Sequence, residues 1–504
     1  MTTNTTDTKY SSESNCGSMD KQRSTILNHG GINSDGRYVL YWMTSSRRVT
    51  WNFALDFAVA EANRLRKPLL IMEPLRVNSR WSSRRFHEFI VDGMKEHSEV
   101  CRNATVAYYP YIESESGAAT NLLDRLAENA CLIVTDDFPC CVLSELKHFA
   151  RRFNTRSVAI DSNGILPMTS GPKTFTTAYS FRRFLHKELR PHLLTYPIEN
   201  GLEQLVCRCF LEDLVDEKTL SDFPATSLLA NTCSLPVLDQ IAYPSIVNPV
   251  TCNGGTSVAV ELLSQFLETK LTSYGERSQP DKDVQSHLSP YLHFGHISAH
   301  EILYRVLEKV SFNVLQLSEK ATGQRQGWWN LSAEVEGFLD QLITWRELGF
   351  NMCSRESNYA QYESLPDWAL KTLEAHSSDN RPEIYTLEQL EHADTADSLW
   401  NAAQFQLLKE GVMHNYLRML WGKKILQWSP SPREALFRMI HLNNKYALDG
   451  RNPNSYAGIF WVLGRYDRAW GPERPIFGKV RYMTSENTRR KLKMSNYLAK
   501  YSVS

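Results

Sequence analysis

No two cysteines in this chain have the C-x-x-C spacing, although its 504 residues include 10 cysteines. Cys140 and Cys141 are adjacent, and Cys207 and Cys209 are one residue apart. Neither arrangement suits a zinc site or a disulfide framework, so reduced thiols in a cytosolic protein are expected. No run of about 18 apolar residues occurs, and no membrane-spanning helix is expected. Residues 1–30 are polar and lack an apolar segment, which reads as a disordered tail rather than a signal peptide. Net charge is also missing: 56 Lys and Arg balance 56 Asp and Glu, so the total favours neither nucleic acid nor a membrane. No internal repeat is visible. No G-x-G-x-x-G follows the first strand pattern, which removes the usual dinucleotide fingerprint.

What is present begins with an alternation. Apolar runs at 38–43, 68–75, 105–110, 131–137 and 157–162 alternate with helical patterns at 50–66, 83–100, 118–130 and 142–153. Short apolar strands separated by helices predict a doubly wound parallel sheet, the α/β class, with ligands at the carboxyl ends of its strands. Beyond 258 the strand signals fade. Helical patterns at 258–272, 296–310, 333–352, 398–412, 413–428, 432–443 and 454–462 predict an all-helical second domain. The division read from the sequence is a polar tail over 1–36, an α/β domain over 37–165, a connecting region over 166–257 with a helix at 178–189, and a helical domain over 258–504. At this length, two or three domains are expected.

Charge is unevenly distributed. Arg418 to Lys500 holds 17 Lys and Arg against 5 Asp and Glu, an excess of 12 that the rest of the chain offsets. A basic block suggests a polyanion partner, although scattered solvated side chains would give the same count. Nine of the twelve tryptophans lie beyond residue 327. Trp421 and Trp428, seven residues apart in "RMLWGKKILQWSP", share a helical face roughly 10 Å apart along the axis, and Trp400 lies on the preceding helical segment. Such spacing serves a buried seam; three indoles within hopping range also pass an electron stepwise. "HLNNKYALDGRNPNSYAGIFW" (441–461) is unusually polar, and Arg418 and Asp449 could pair beneath a polar ligand there. Ser286 and Ser289 precede an apolar helical run, a position that suits an N-cap or phosphate oxygens.

These stretches together resemble the photolyase/cryptochrome flavoproteins, with the nearest likeness to class II cyclobutane pyrimidine dimer photolyases. The resemblance covers about 38 to 495 and is densest from 284 to 491. It rests on "LSPYLHFGHIS", "LWNAAQ", "HNYLRMLWGKKILQWS", "LNNKYALDGRNPNSYAGIFW" and "DRAWGPERPIFGKVRYM". It implies FAD in the helical domain, with Tyr274, Ser286, Leu288 and Ser289 on its phosphate and ribityl sides. It pairs Arg418 with Asp449 beside the flavin ring, and it places Asn443 at flavin N5. It orders Trp421, Trp400 and Trp428 as an electron chain from proximal to distal, with the lysines of that helix facing solvent or DNA. On the substrate side it implies damaged DNA containing pyrimidine dimers, a flipped-out lesion, Glu347 as its hydrogen-bonding acid, and Trp461 and Met419 packed against it. Arg277 falls at a lesion- or phosphate-side position, and Arg468 and Trp470 lie in a segment supporting the site and the DNA. The activity implied is light-dependent splitting of the dimer by electron transfer from reduced FAD, with no metal. A second antenna chromophore, a deazaflavin or a folate, would sit on the sheet, and no residue identifies it.

The sequence also departs from the family pattern. Gln285 stands where a threonine is usual, Trp345-Arg346 where Arg-Arg is usual, and Tyr466 where a histidine is usual. The departures bear on lesion preference more than on flavin binding and suggest a divergent class II branch. The alternative reading is a cryptochrome-like blue-light receptor without repair; the short stretch after "RYMTS" favours repair. A cytoplasmic monomer with no obligate protein partner is expected.

Overall fold

The structure is a computed structural model describing residues 21–77, 79–228 and 236–502. Six strands form one sheet: β1 (Ser24–Ile26), β2 (Tyr38–Trp42), β3 (Leu69–Leu75), β4 (Ala107–Ile112), β5 (Ala130–Asp136) and β6 (Ser157–Ile160). Their order is β1-β6-β5-β2-β3-β4, with β2 to β6 parallel and β1 antiparallel on the edge beside β6. Every residue of β2 to β6 is buried, as expected of strands covered by helices on both faces. The folded chain therefore starts before residue 37: β1 is hydrogen-bonded into the sheet, and the buried Arg23 donates to the carbonyls of Asp161, Gly164 and Ile165. Residues 1–20 of the expected tail lie outside the described residues.

The sheet reverses direction of winding at β2, between β3 and β5, where ligands of such folds usually bind. Here the protein fills that position itself. The Asp136 carboxylate accepts the backbone N–H groups of Thr44, Ser45 and Ser46 at 2.7, 2.8 and 3.0 Å, and the Tyr41 hydroxyl at 2.9 Å. An anion cradle of successive N–H groups is occupied by an internal side chain, which accounts for the missing glycine fingerprint.

The rest of the chain is helical. The main elements are Ala178–His192, Thr256–Gln265, Ala299–Lys309, Ala333–Leu339, Arg346–Arg355, Ser398–Glu410, Asn415–Trp428, Pro432–Tyr446 and Pro453–Val462. Their starts follow local chemistry. Asp397 accepts from the N–H groups of Leu399 and Trp400, Ser431 caps a helix opening with Pro432, and Asn452 caps one opening with Pro453. Two glycines allow close helix approach: a Cβ at Gly349 would lie 2.7 Å from the Pro453 carbonyl oxygen, and one at Gly422 would lie 2.6 Å from Val462 Cγ2. The helical half also seals the carboxyl edge of the sheet, where Arg48 donates to the Gly295 carbonyl and Arg346 to that of Asn163. Among the described residues no helix is long and apolar enough to cross a membrane.

Candidate functional site

A cavity of about 640 Å³ opens in the helical domain, within the usual range for ligand sites. Its wall brings together residues remote in sequence: Tyr274, Ser286, Leu288 and Ser289 from one stretch, Arg418, Met419 and Trp421 from another, then Asn443, Asp449 and Trp461. All of these are positions singled out in the sequence.

The Asn415–Trp428 helix delivers three of them. Arg418 Nη2 lies 3.1 Å from Asp449 Oδ1, forming the expected ion pair. Trp421 presents its ring to the cavity while its Nε1 donates to Gln404 Oε1 at 2.9 Å. Behind it, Trp400 Nε1 donates to the Trp421 carbonyl at 3.1 Å. Trp400 then meets Trp428 edge to face, ring centroids 5.5 Å apart, and Tyr385 stands edge-on to Trp428 at 5.0 Å. The three indoles thus follow one another inward from the cavity. The lysines of this helix do not face solvent as expected. Lys423 is 1 % exposed and donates to the Val462 carbonyl, and burial lowers its pKa to about 7. Lys424 pairs with Asp397 at 3.2 Å, its ammonium 5.2 Å from the Trp428 ring centroid.

Gln285 lies on the wall beside Ser286 and Ser289. Neither serine caps the short Ser289–Phe294 helix: Leu288 is at the N-cap and no side chain bonds there. The hydroxyl groups are not spent on capping, which suits the second use foreseen for them.

Glu347 is the main correction. Its carboxylate points away from the cavity and accepts the N–H groups of Ile165 and Leu166 at 2.5 and 3.3 Å, joining the helical domain to the loop after β6. Burial raises its pKa to about 7. The cause of the misplacement is helical geometry. The turn Asp340–Trp345 is a π-helix inserted before Arg346–Arg355, a feature common at functional sites. It turns Gln341 and Trp345, four residues apart, to the cavity. Glu347, two residues beyond Trp345, lies about 200° further round the helix. Gln341, rather than Glu347, is therefore the uncharged polar group on this face, with Arg346 beside it on the wall. Trp345 stacks on Trp461 with centroids 4.4 Å apart and planes 12° apart, so the two indoles lie face to face as one stacked apolar platform on the wall. Neither Gln341 nor this pairing was foreseen; the i, i+4 spacing of Gln341 and Trp345 was the available signal.

Three further positions lie off the wall. Arg277 places its guanidinium 5.0 Å from the Tyr274 ring centroid. Arg468 and Arg481 flank Trp470 at 4.8 and 5.4 Å on the surface, where Trp470 is 37 % exposed. The basic block is also less free than its count suggested. Lys424, Arg433, Lys445, Arg465 and Lys500 pair with Asp397, Glu363, Glu391, Glu356 and Glu410, all outside the block.

The residues present suit a flavin dinucleotide: the wall carries the hydroxyl groups of Ser286 and Ser289, the Arg418–Asp449 ion pair, the Asn443 carboxamide and the Trp421 indole. No family model matches the chain. A deoxyribodipyrimidine photo-lyase of Methanothermobacter thermautotrophicus is 32 % identical over 478 residues, spanning 94 % of this chain and 97 % of that protein. Those of Potorous tridactylus and Arabidopsis thaliana are 31 % and 32 % identical, spanning 96 % and 92 % of this chain and 85 % and 88 % of theirs. A solved structure titled as a bacterial class III photolyase from Agrobacterium tumefaciens superposes with a TM-score of 0.65 at 16 % identity, covering 92 % of this chain and 86 % of that one; it supports the fold. The length and identity of the matched relatives, on top of this cavity, establish that the chain belongs to the deoxyribodipyrimidine photo-lyase family.

Proposed function

We propose that the cavity binds FAD and that the protein splits cyclobutane pyrimidine dimers in DNA under light, as a divergent class II enzyme. The observation that carries this is the joint placement of Asn443, the Arg418–Asp449 pair, Trp421 and the Trp345–Trp461 platform around one cavity. FAD in its reduced form supplies, when bound, a photoexcitable electron donor to the dimer. Ser286 and Ser289 offer hydroxyl groups to its phosphates, and the Arg418–Asp449 pair and Asn443 face its ring. Trp421, Trp400 and Trp428 conduct an electron toward the cavity from the buried interior behind it. A flipped-out dimer lies against the Trp345–Trp461 platform, where apolar faces exclude water. Gln341 replaces Glu347 in our reading as the polar contact for the lesion, because an amide both donates and accepts along a pyrimidine edge. A second chromophore on the sheet has to sit away from the β2–β5 crevice, which Asp136 fills.

The test is an illuminated repair assay. Reduced, FAD-loaded protein is mixed anaerobically with an oligothymidine containing one dimer, and recovery of thymine ultraviolet absorption is followed in light and darkness. Recovery in light alone supports the reading. Bound flavin with no recovery transfers the weight to a light receptor without repair.

A further inference from the structure

The Asn443 carboxamide is held in one orientation by its neighbours. The starting point is a donor whose identity is fixed, the backbone N–H of Arg451, 3.0 Å from the Asn444 side chain. That atom of Asn444 must be its oxygen. Asn444 then turns its Nδ2 to the Tyr456 hydroxyl at 3.0 Å, which contacts Cys141 Sγ at 3.4 Å. The terminal atom of Asn443 that lies 3.2 Å from the Asn444 oxygen must in turn be its nitrogen. A second neighbour agrees. Ser455 Oγ is 3.3 Å from the same atom, and it donates its one proton to the Asn452 carbonyl at 3.0 Å, so toward Asn443 it can only accept. Asn443, Asn444, Ser455 and Tyr456 are 4, 1, 7 and 5 % exposed, so water does not compete for these bonds. With both N–H groups of Asn443 engaged inward, its Oδ1 is left to the cavity it lines.

We propose that Asn444 and Ser455 are positioning residues that hold Asn443 as a hydrogen-bond acceptor at the cavity wall, so that the site selects a ligand presenting an N–H or O–H there. The inference rests on the FAD reading; for a flavin, the selected state is the one protonated at N5. An amide free to turn would serve both protonation states equally. A locked amide favours one of them and opposes the other, because a flipped Asn443 would set its oxygen against the Asn444 oxygen in a buried place.

The experiment measures N5 protonation of the bound flavin after one-electron reduction, read from visible absorption across pH in anaerobic protein. Flavin retention is measured first, on every variant. The wild type is expected to keep N5 protonated over the widest pH range. Asn444→Leu, which removes the acceptor, is expected to make N5 about tenfold more acidic, the size of one net hydrogen bond. Asn444→Asp, which keeps an oxygen toward both Arg451 N–H and Asn443, is expected to restore the wild-type range. If Asn444→Leu does not fold, Ser455→Ala is read instead and should shift N5 acidity in the same direction. Wild-type protein that retains no FAD overturns the cofactor reading and this inference with it. Retained flavin with N5 unprotonated in the wild type, or with unshifted acidity in the variants, overturns the positioning role alone.

Discussion

Glu347 shows how burial turns a carboxylate into a pH sensor of stability. Desolvation raises its folded pKa to about 7 from an ordinary 4.5, against the opposing pull of two backbone N–H bonds. Between those values the folded state holds the extra proton. The stability this proton confers is complete below the unfolded pKa and is lost as pH rises through 7. The loss is on the order of 3 kcal/mol. Glu347→Gln should flatten the fall in stability between pH 4.5 and 7, measured by urea unfolding across that range; an unchanged slope would assign the dependence to another group. Trp421 makes a different residue-scale prediction. Its ring alone of the three indoles lines the cavity, and Trp400 stands behind it, donating to the Trp421 carbonyl. Trp421→Phe should abolish photoreduction of bound oxidised flavin, followed spectroscopically, while chemically reduced protein still repairs. Loss of both activities would mean that Trp421 supports the fold instead.

At the scale of elements, what was legible was what periodicity encodes. Strands β2 to β6 are short apolar runs buried on both faces, and several of the long helices open on a side-chain cap. β1 escaped notice because it has three residues, two of them exposed, and joins the sheet through backbone bonds that no side-chain pattern records. The helical stretch 333–352 was readable, but its π-turn was not, and that turn decides whether Gln341 or Glu347 meets the cavity. Asn443, Arg418 and Asp449 all line the cavity, and the last two pair, because motif likeness compares positions, not helical phase. The Asn415–Trp428 helix seemed to have a wet basic face, since two lysines in sequence usually do. The Pro453–Val462 helix instead packs over Lys423, and Lys423 supplies the donor for the otherwise unpaired end of that helix at Val462. Its ammonium is disfavoured there, with its pKa lowered by desolvation to about 7 from 10.5. The unfolded chain holds the proton more tightly across that interval, so stability should rise as pH rises from 7 to about 10.5. Lys423→Met should remove this rise and raise the unfolding midpoint at pH 7; a lowered midpoint would show that the Val462 carbonyl bond outweighs the desolvation.

Over the whole molecule, the 17 basic residues from Arg418 onward do not act as one block. Eight of the 17 pair with carboxylates among the described residues, five of them with acids from earlier in the chain. Those pairs tie the helical domain together and have little charge left for a partner. Arg468, Arg474 and Arg481 are different. They make no ion pair among the described residues, and they stand around Trp470 and Tyr482, which are 37 % and 40 % exposed. Guanidinium groups interleaved with exposed aromatic rings suit a nucleic-acid backbone beside unstacked bases. Each phosphate neutralised on duplex DNA contributes about 0.9 to the slope of log affinity against log salt. Reversing Arg468, Arg474 and Arg481 together to Glu should therefore reduce that slope by roughly 3 for undamaged duplex, measured by fluorescence anisotropy at several salt concentrations. Reversing Arg433 and Lys445, each already matched by a glutamate, should weaken the fold locally and leave the slope unchanged. The opposite ranking would move the DNA-binding face to the paired lysines and arginines. Equal slopes in both variants and the wild type would remove both clusters from contact with the phosphates and leave as the candidates the remaining cations of the block that are unpaired among the described residues, Arg489, Arg490, Lys491 and Lys493 among them.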